Sequence, residues 1–124
     1  MAKSILVIDD EELIIKSLKK LLEKNGFSVF VAKNGQDAIA MIDVENFNLI
    51  IADIRMPGMN GVETVQSIYK SLKQSNLKKI PVMFITGYAD NDVELKARAL
   101  GATSYIYKPF DISELVDRIK EALK

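Results

Sequence analysis

Short apolar runs alternate with helical patterns along the whole chain. Ser4 to Ile8 is a continuous apolar run, the pattern of a strand buried on both faces. Leu13, Ile14, Ser17, Leu18, Leu21 and Leu22 then recur at helical spacing and stop at Asn25-Gly26, where glycine suits the left-handed residue that ends many helices. Ser28 to Ala32, rich in Val and Phe, predicts a second strand. Gly35 to about Val44 predicts a second helix with Ala38, Ile39, Met41 and Ile42 on its apolar side. Leu49 to Ala52 predicts a third strand ending at Asp53, and the Pro and Gly content of Met56-Pro57-Gly58-Met59-Asn60-Gly61 predicts a loop. A helix from about Val62 to Gln74, a strand from Pro81 to Ile85 and a helix from Asp90 to Leu100 closed by Gly101 follow. Tyr105 to Tyr107 is the fifth strand. Asp111-Ile112-Ser113-Glu114 has the form of a capping box that opens a last helix, with Leu115, Val116, Ile119 and Leu123 facing the core.

Five strand–helix units in strict alternation imply an α/β fold with a parallel sheet covered on both faces. Right-handed crossovers leave few topologies for it. The units share no motif, so the rhythm is not that of a repeat protein. Lys73 to Lys79 is the most polar stretch and reads as a surface loop, and residues 1–124 read as one domain. A chain of 124 residues can bury a sizeable core without covalent staples.

Composition narrows the chemistry. Seventeen basic and seventeen acidic residues cancel, which argues against nucleic acid or an anionic membrane as the primary partner. The absence of cysteine excludes disulfides, thiolate metal sites and cysteine nucleophiles. The absence of histidine excludes an imidazole base, zinc ligand or phosphocarrier. Carboxylates, hydroxyls and amines remain, and any metal is expected to be a hard, oxygen-binding cation. The run Ile5 to Ile8 is too short for a signal peptide or a membrane span, so a cytoplasmic location is expected.

The polar residues fall at informative places. Asp9 and Asp10 follow strand one, Asp53 ends strand three, Thr86 ends strand four and Lys108 ends strand five. In a parallel sheet these strand ends share an edge, the edge at which open α/β sheets bind ligands. Two carboxylates about 4 Å apart repel by roughly 4 kcal/mol at an effective dielectric near 20. That is about three pKa units, more than three neighbouring carboxylates sustain unaided. A divalent cation such as Mg2+, which keeps some of its waters, relieves it.

The segments Ile5-Leu6-Val7-Ile8-Asp9-Asp10, Asp53 before Met56-Pro57-Gly58-Met59-Asn60-Gly61, Thr86-Gly87 and Lys108-Pro109-Phe110 together resemble bacterial response-regulator receiver domains. The resemblance runs from Lys3 to Leu123. It implies a flavodoxin-like, doubly wound (βα)5 three-layer sandwich with strand order 2-1-3-4-5. It further implies that Asp53 accepts a phosphoryl group from a sensor histidine kinase or a histidine phosphotransfer protein, with Mg2+ as cofactor and Mn2+ as a substitute. Asp10 matches a direct metal ligand, Asp9 one that acts mainly through water, and Arg55 one that offers its backbone carbonyl. Lys108 matches the lysine that pairs with phosphoryl oxygens, Thr86 the hydroxyl that moves onto them, and Tyr105 the aromatic that turns inward with it. Gly87 is expected to leave room beside the phosphoryl group, and Pro109 to follow a cis peptide that aims Lys108 inward. Asn60 stands where the family often has Asp, outside the chemistry.

The resemblance also implies partners. The first helix is expected to dock the phosphodonor, with Leu13 and Ile15, which flank its apolar stripe, exposed to it. The plainer reading is that both simply widen the core stripe. The face made by the fourth helix, fifth strand and fifth helix is expected to change on phosphorylation and to meet a downstream protein, in a monomer or a phosphorylation-linked dimer. Arg55 and Tyr88 border the path of the water that hydrolyses the acyl phosphate, and their bulk predicts slow decay. The protein is then a switch rather than a turnover enzyme. Two alternatives remain open, a receiver-like interaction module that takes no phosphate and a haloacid dehalogenase-type phosphatase. The phosphatase wants a second acid two residues after its nucleophile, where this chain has Arg55. A flavin-binding protein fits less well, because the acidic loop after strand one would repel a flavin phosphate.

Overall fold

The computed structural model describes residues 2–87 and 90–124. Its elements are β1 (Ser4–Ile8), α1 (Glu12–Lys24), β2 (Ser28–Ala32), α2 (Gly35–Val44), β3 (Leu49–Asp53), α3 (Gly61–Gln74), β4 (Val82–Thr86), α4 (Asn91–Ala99), β5 (Ser104–Tyr107) and α5 (Ile112–Ala122). All four strand pairings are parallel and give the expected order β2-β1-β3-β4-β5. Because side chains alternate across a strand, β1, β3 and β4 feed two separate cores. Leu6, Ile8, Ile50, Ala52, Val82 and Phe84 meet Ala38 of α2, Val65 and Ile68 of α3 and Ala97 of α4. Ile5, Val7, Leu49, Ile51, Met83 and Ile85 meet Leu18 and Leu22 of α1 and Leu115 and Ile119 of α5. The three layers follow from this alternation.

The first helix corrects the expected docking residues. Its buried stripe is Ile15, Leu18 and Leu22, and Ile15 is only 7% exposed. Leu13 is 80% exposed. At about 100° per residue the two side chains lie about 200° apart around the helix, so they cannot share an outer face. Ile15 is a core residue, and Leu13 alone keeps the exposure that docking requires.

Caps place the helices with respect to the strand ends. The complete capping box belongs to α3. Asn60 Oδ1 accepts the Glu63 N–H at 2.9 Å, and Glu63 Oε1 accepts the Asn60 N–H at 3.0 Å. At α5 only the Asp111 half forms, at 3.1 Å, and Glu114 instead takes the Arg118 guanidinium at 2.9 Å.

Helix α3 starts one residue earlier than the pattern suggested, at Gly61. The Gly61 N–H donates to the Ile54 carbonyl at 2.9 Å, which brings the helix start against the end of β3. A Cβ at Gly61 would run into the Asp53 carbonyl, which is backbone and cannot swing aside. A Cβ at Gly87 would lie 3.9 Å from the Lys108 side chain, ordinary contact, so the folded protein itself leaves room for one there. We therefore expect Gly61→Ala to destabilise the protein by about 1–3 kcal/mol, and Gly87→Ala to stay within about 0.5 kcal/mol of the parent. Urea unfolding of both variants checks this, and equal midpoints would refute the close-approach argument.

Candidate functional site

The carboxyl edge of the sheet gathers the predicted polar residues. Asp9 follows β1 with its N–H bonded to the Ala32 carbonyl at 3.1 Å, and its side chain is fully buried. Asp53 ends the central strand β3 and is 2% exposed. Asp10 is exposed at the rim. Thr86 ends β4, fully buried, and its carbonyl accepts the Lys108 N–H at 2.7 Å. The Lys108–Pro109 peptide is cis, as expected.

Lys108 spans the cluster. Its Nζ lies 3.5 Å from Asp9 Oδ2 and 3.7 Å from Asp53 Oδ1, and it donates to Glu11 Oε1 at 3.0 Å. Glu11 had no place in the expected site, although it directly follows the Asp9-Asp10 pair. Its N–H donates to Asp9 Oδ1 at 2.9 Å, which fixes the turn after β1.

Carboxylate oxygens of Asp9, Asp10 and Asp53 lie within 4.8 Å of one another. Asp9 Oδ2 is buried and has no hydrogen-bond partner among the described residues, the Lys108 ammonium standing off at 3.5 Å. Buried acceptors are rarely left so, because each costs about 1–3 kcal/mol. An all-oxygen donor set with a free buried lone pair fits a hard divalent cation.

Burial, and then the neighbouring charge of Asp9, push Asp53 up from 3.8 to about 6, against the opposing pull of Lys108 and of the Arg55 N–H bonded to the carboxylate. Burial raises Asp9 as well, against the Glu11 N–H and Lys108. For Lys108, burial pulls down, but the Glu11 hydrogen bond and the charges of Asp9, Asp53 and Glu11 together raise it.

Of the other expected residues, Tyr105 is 8% exposed and already stands inward. Its ring centroid is 6.4 Å from Phe84, and the Arg98 guanidinium lies over the ring at 5.9 Å. Its hydroxyl is buried without a partner among the described residues, and burial pushes its pKa up to about 12. Arg55 is exposed. Tyr88 lies outside the described residues. A groove between α1 and the segment after β5 also escaped the sequence pattern. It encloses about 260 Å³ and is lined by Ile14, Leu21, Lys108, Pro109, Phe110 and Ile112.

A carboxyl raised by folding adds stability below its unfolded value near 3.8 and loses it as pH climbs through about 6. Above that window the buried charge costs the metal-free protein about 2–3 kcal/mol. In chelator, Asp53→Asn should be more stable than the parent by about 1–3 kcal/mol near pH 7.5, with the advantage vanishing towards pH 4. Urea unfolding at the two pH values reads this, and an advantage independent of pH would refute the burial argument.

Comparison with known proteins bears on the chain as a whole. Residues 5–120 match the family model of the response regulator receiver domain. The chain is 42% identical over 120 residues to the transcriptional regulatory protein CrdR of Helicobacter pylori, covering 97% of this chain and 54% of that protein. It is 34% identical over 123 residues to sporulation initiation phosphotransferase F of Bacillus subtilis, covering 99% of this chain and 95% of that one. The chain thus spans about half the length of several curated relatives it matches. Among solved structures, a CheY-like response regulator receiver domain protein of Methanospirillum hungatei superposes with a TM-score of 0.90 at 33% identity, over 99% of this chain and 94% of that one.

Proposed function

The chain belongs to the response regulator receiver domains, the signal-accepting modules of two-component systems, and from that premise we propose that Asp53 is its phosphoacceptor. One observation carries the assignment. Asp53 is a buried carboxylate at the end of the central strand, 3.7 Å from the Lys108 ammonium, with two more carboxylates near enough to share one cation.

The donor is a phosphohistidine on a sensor histidine kinase or a histidine phosphotransfer protein. An ionised Asp53 oxygen forms the new P–O bond as the P–N bond breaks, and the imidazole leaves with the electron pair. Lys108 draws phosphoryl oxygens inward, and the Arg55 N–H holds the Asp53 carboxylate in place. Bound Mg2+, or Mn2+ in its place, supplies charge neutralisation of the phosphoryl oxygens. Asp9, Asp10, Asp53 and the Arg55 carbonyl are its ligands in this reading.

Thr86 then moves towards the phosphoryl group and biases Tyr105. Phosphorylation then favours the inward position that Tyr105 already takes in this structure. The α4–β5–α5 face, with Leu95 and Tyr107 exposed, meets the downstream protein. The exposed Arg55 shields the acyl phosphate from water and lengthens its life. Arg55 also stands where a phosphatase would need its second acid, so the chain works as a switch rather than a turnover enzyme. Among the described residues no helix is long and apolar enough to cross a membrane, and we place the protein in the cytoplasm.

Incubation with acetyl phosphate and Mg2+, read by intact mass, should add one phosphoryl group to the parent, none to Asp53→Asn and none in chelator. An unmodified parent would reduce the chain to an interaction module.

The groove beside α1 and the exposed Leu13 form the donor's docking surface in this reading. Its mouth is apolar, with Ile112 exposed, as suits packing against the donor's helices. Ile112→Lys should slow transfer from a phosphorylated kinase that labels the parent by about tenfold, the effect of a charge worth roughly 1.4 kcal/mol in an apolar contact. Labelling by acetyl phosphate should stay unchanged. Equal slowing with both donors would place the defect in the chemistry instead.

A further inference from the structure

Lys108 has three carboxylates around it, and the nearest belongs to none of the residues that the receiver resemblance assigns. Its Nζ is 3.0 Å from Glu11 Oε1, against 3.5 Å for Asp9 Oδ2 and 3.7 Å for Asp53 Oδ1. Only the first is a normal hydrogen-bond length. Glu11 reaches inward from the N-cap of α1, and its side chain makes no capping bond to the helix it precedes. Its backbone is anchored, since its N–H is held by Asp9 Oδ1 at 2.9 Å, while its carboxylate stays more than half exposed. The carboxylate is therefore fixed at its base and free to swing at its tip.

We propose that Glu11 is a positioning residue that competes with the incoming phosphoryl group for Lys108. Its carboxylate holds the ammonium at the rim of the site, and phosphoryl oxygens must displace it before the lysine can neutralise them. The proposal rests on Asp53 being the acceptor. It also fixes a sign. If Glu11 served chiefly to attract the cation, its removal would weaken metal binding and slow phosphorylation. If it competes for Lys108, its removal speeds phosphorylation once the metal is saturating.

The test uses acetyl phosphate as donor at saturating Mg2+. An Asp53 oxygen bonds to phosphorus, the bond from phosphorus to the acetyl oxygen breaks, and acetate leaves with the electron pair, so no proton need move. Phosphorylation rates of the parent, Glu11→Gln and Glu11→Asp are followed by intact mass across donor concentrations, at low and high salt. For Glu11→Gln at low salt the half-saturating donor concentration should fall roughly 2- to 5-fold, the worth of an exposed ion pair, with the maximal rate changing less. The gain should shrink at high salt, because an exposed charge is screened. Glu11→Asp, which keeps the charge on a shorter arm, should fall between the two. A labelled parent with Glu11→Gln no better, or worse, overturns the role of Glu11 and leaves Asp53 standing. An unlabelled parent overturns both. A double-mutant cycle with Lys108→Met, read by urea unfolding, checks the contact independently of phosphate, and strictly additive midpoints would overturn it.

Discussion

The structure depends on keeping two buried carboxylates together at the dry end of a parallel sheet. Asp9 and Asp53 offer oxygens within 4.8 Å of each other, a repulsion of about 3–4 kcal/mol at an effective dielectric near 20. The Lys108 ammonium, 3.5 and 3.7 Å away, returns roughly 4–5 kcal/mol to each. By Coulomb's law alone the trio is favourable. Yet both aspartates are raised above their ordinary values, with burial as the first cause, so loss of water outweighs the lysine. The unphosphorylated site is thus strained towards anything that brings positive charge or carries negative charge away from the two carboxylates. The two apolar cores on either side of β1, β3 and β4 hold the strand ends in place against that strain.

Much of this was legible in the sequence because the fold repeats one simple unit. Fully apolar runs such as Leu49 to Ala52 are unambiguous when both faces of a sheet are covered, and the polar residue that ends each run falls at the same edge. The strands were therefore placed to within a residue, and Asp9, Asp53, Thr86 and Lys108 were brought together as the alternation implied. The resemblance supplied what spacing could not, namely the strand order, and the cis peptide before Pro109 followed from proline's place in a tight turn.

The rest depends on rotation and reach, which hydrophobic pattern does not encode. Leu13 and Ile15 are both apolar, and only the phase of the helix against the sheet decides that one is buried and the other is not. Gly61 looked like loop because its role is a close approach to the Asp53 carbonyl, a contact between segments rather than a local preference. The signal that was present, Asn60 followed three residues later by Glu63, is a capping box and would have moved the helix start to Gly61. Glu11 was hidden because a third acid beside two others reads as more of the same, and its partner lies 97 residues further along the chain.

Lys108 also joins regions that would otherwise be separate. Its backbone N–H is bonded to the Thr86 carbonyl, its ammonium meets Asp9, Glu11 and Asp53, and its side chain forms part of the groove beside α1. On the proposed function, a donor helix seated in that groove would press on the residue whose ammonium is to reach the phosphoryl group. Three residues before it, Tyr105 lies beneath Arg98. Arg98 pairs with Glu94, which also accepts the Tyr107 hydroxyl, so α4 and β5 are tied together on the outer face. In this reading recognition, chemistry and output share the short segment from Tyr105 to Phe110. On that reading, a phosphoryl group that repositioned Lys108 would need no long path to reach the proposed output face. The change has only to pass along one strand end, through a backbone bond already made to Thr86.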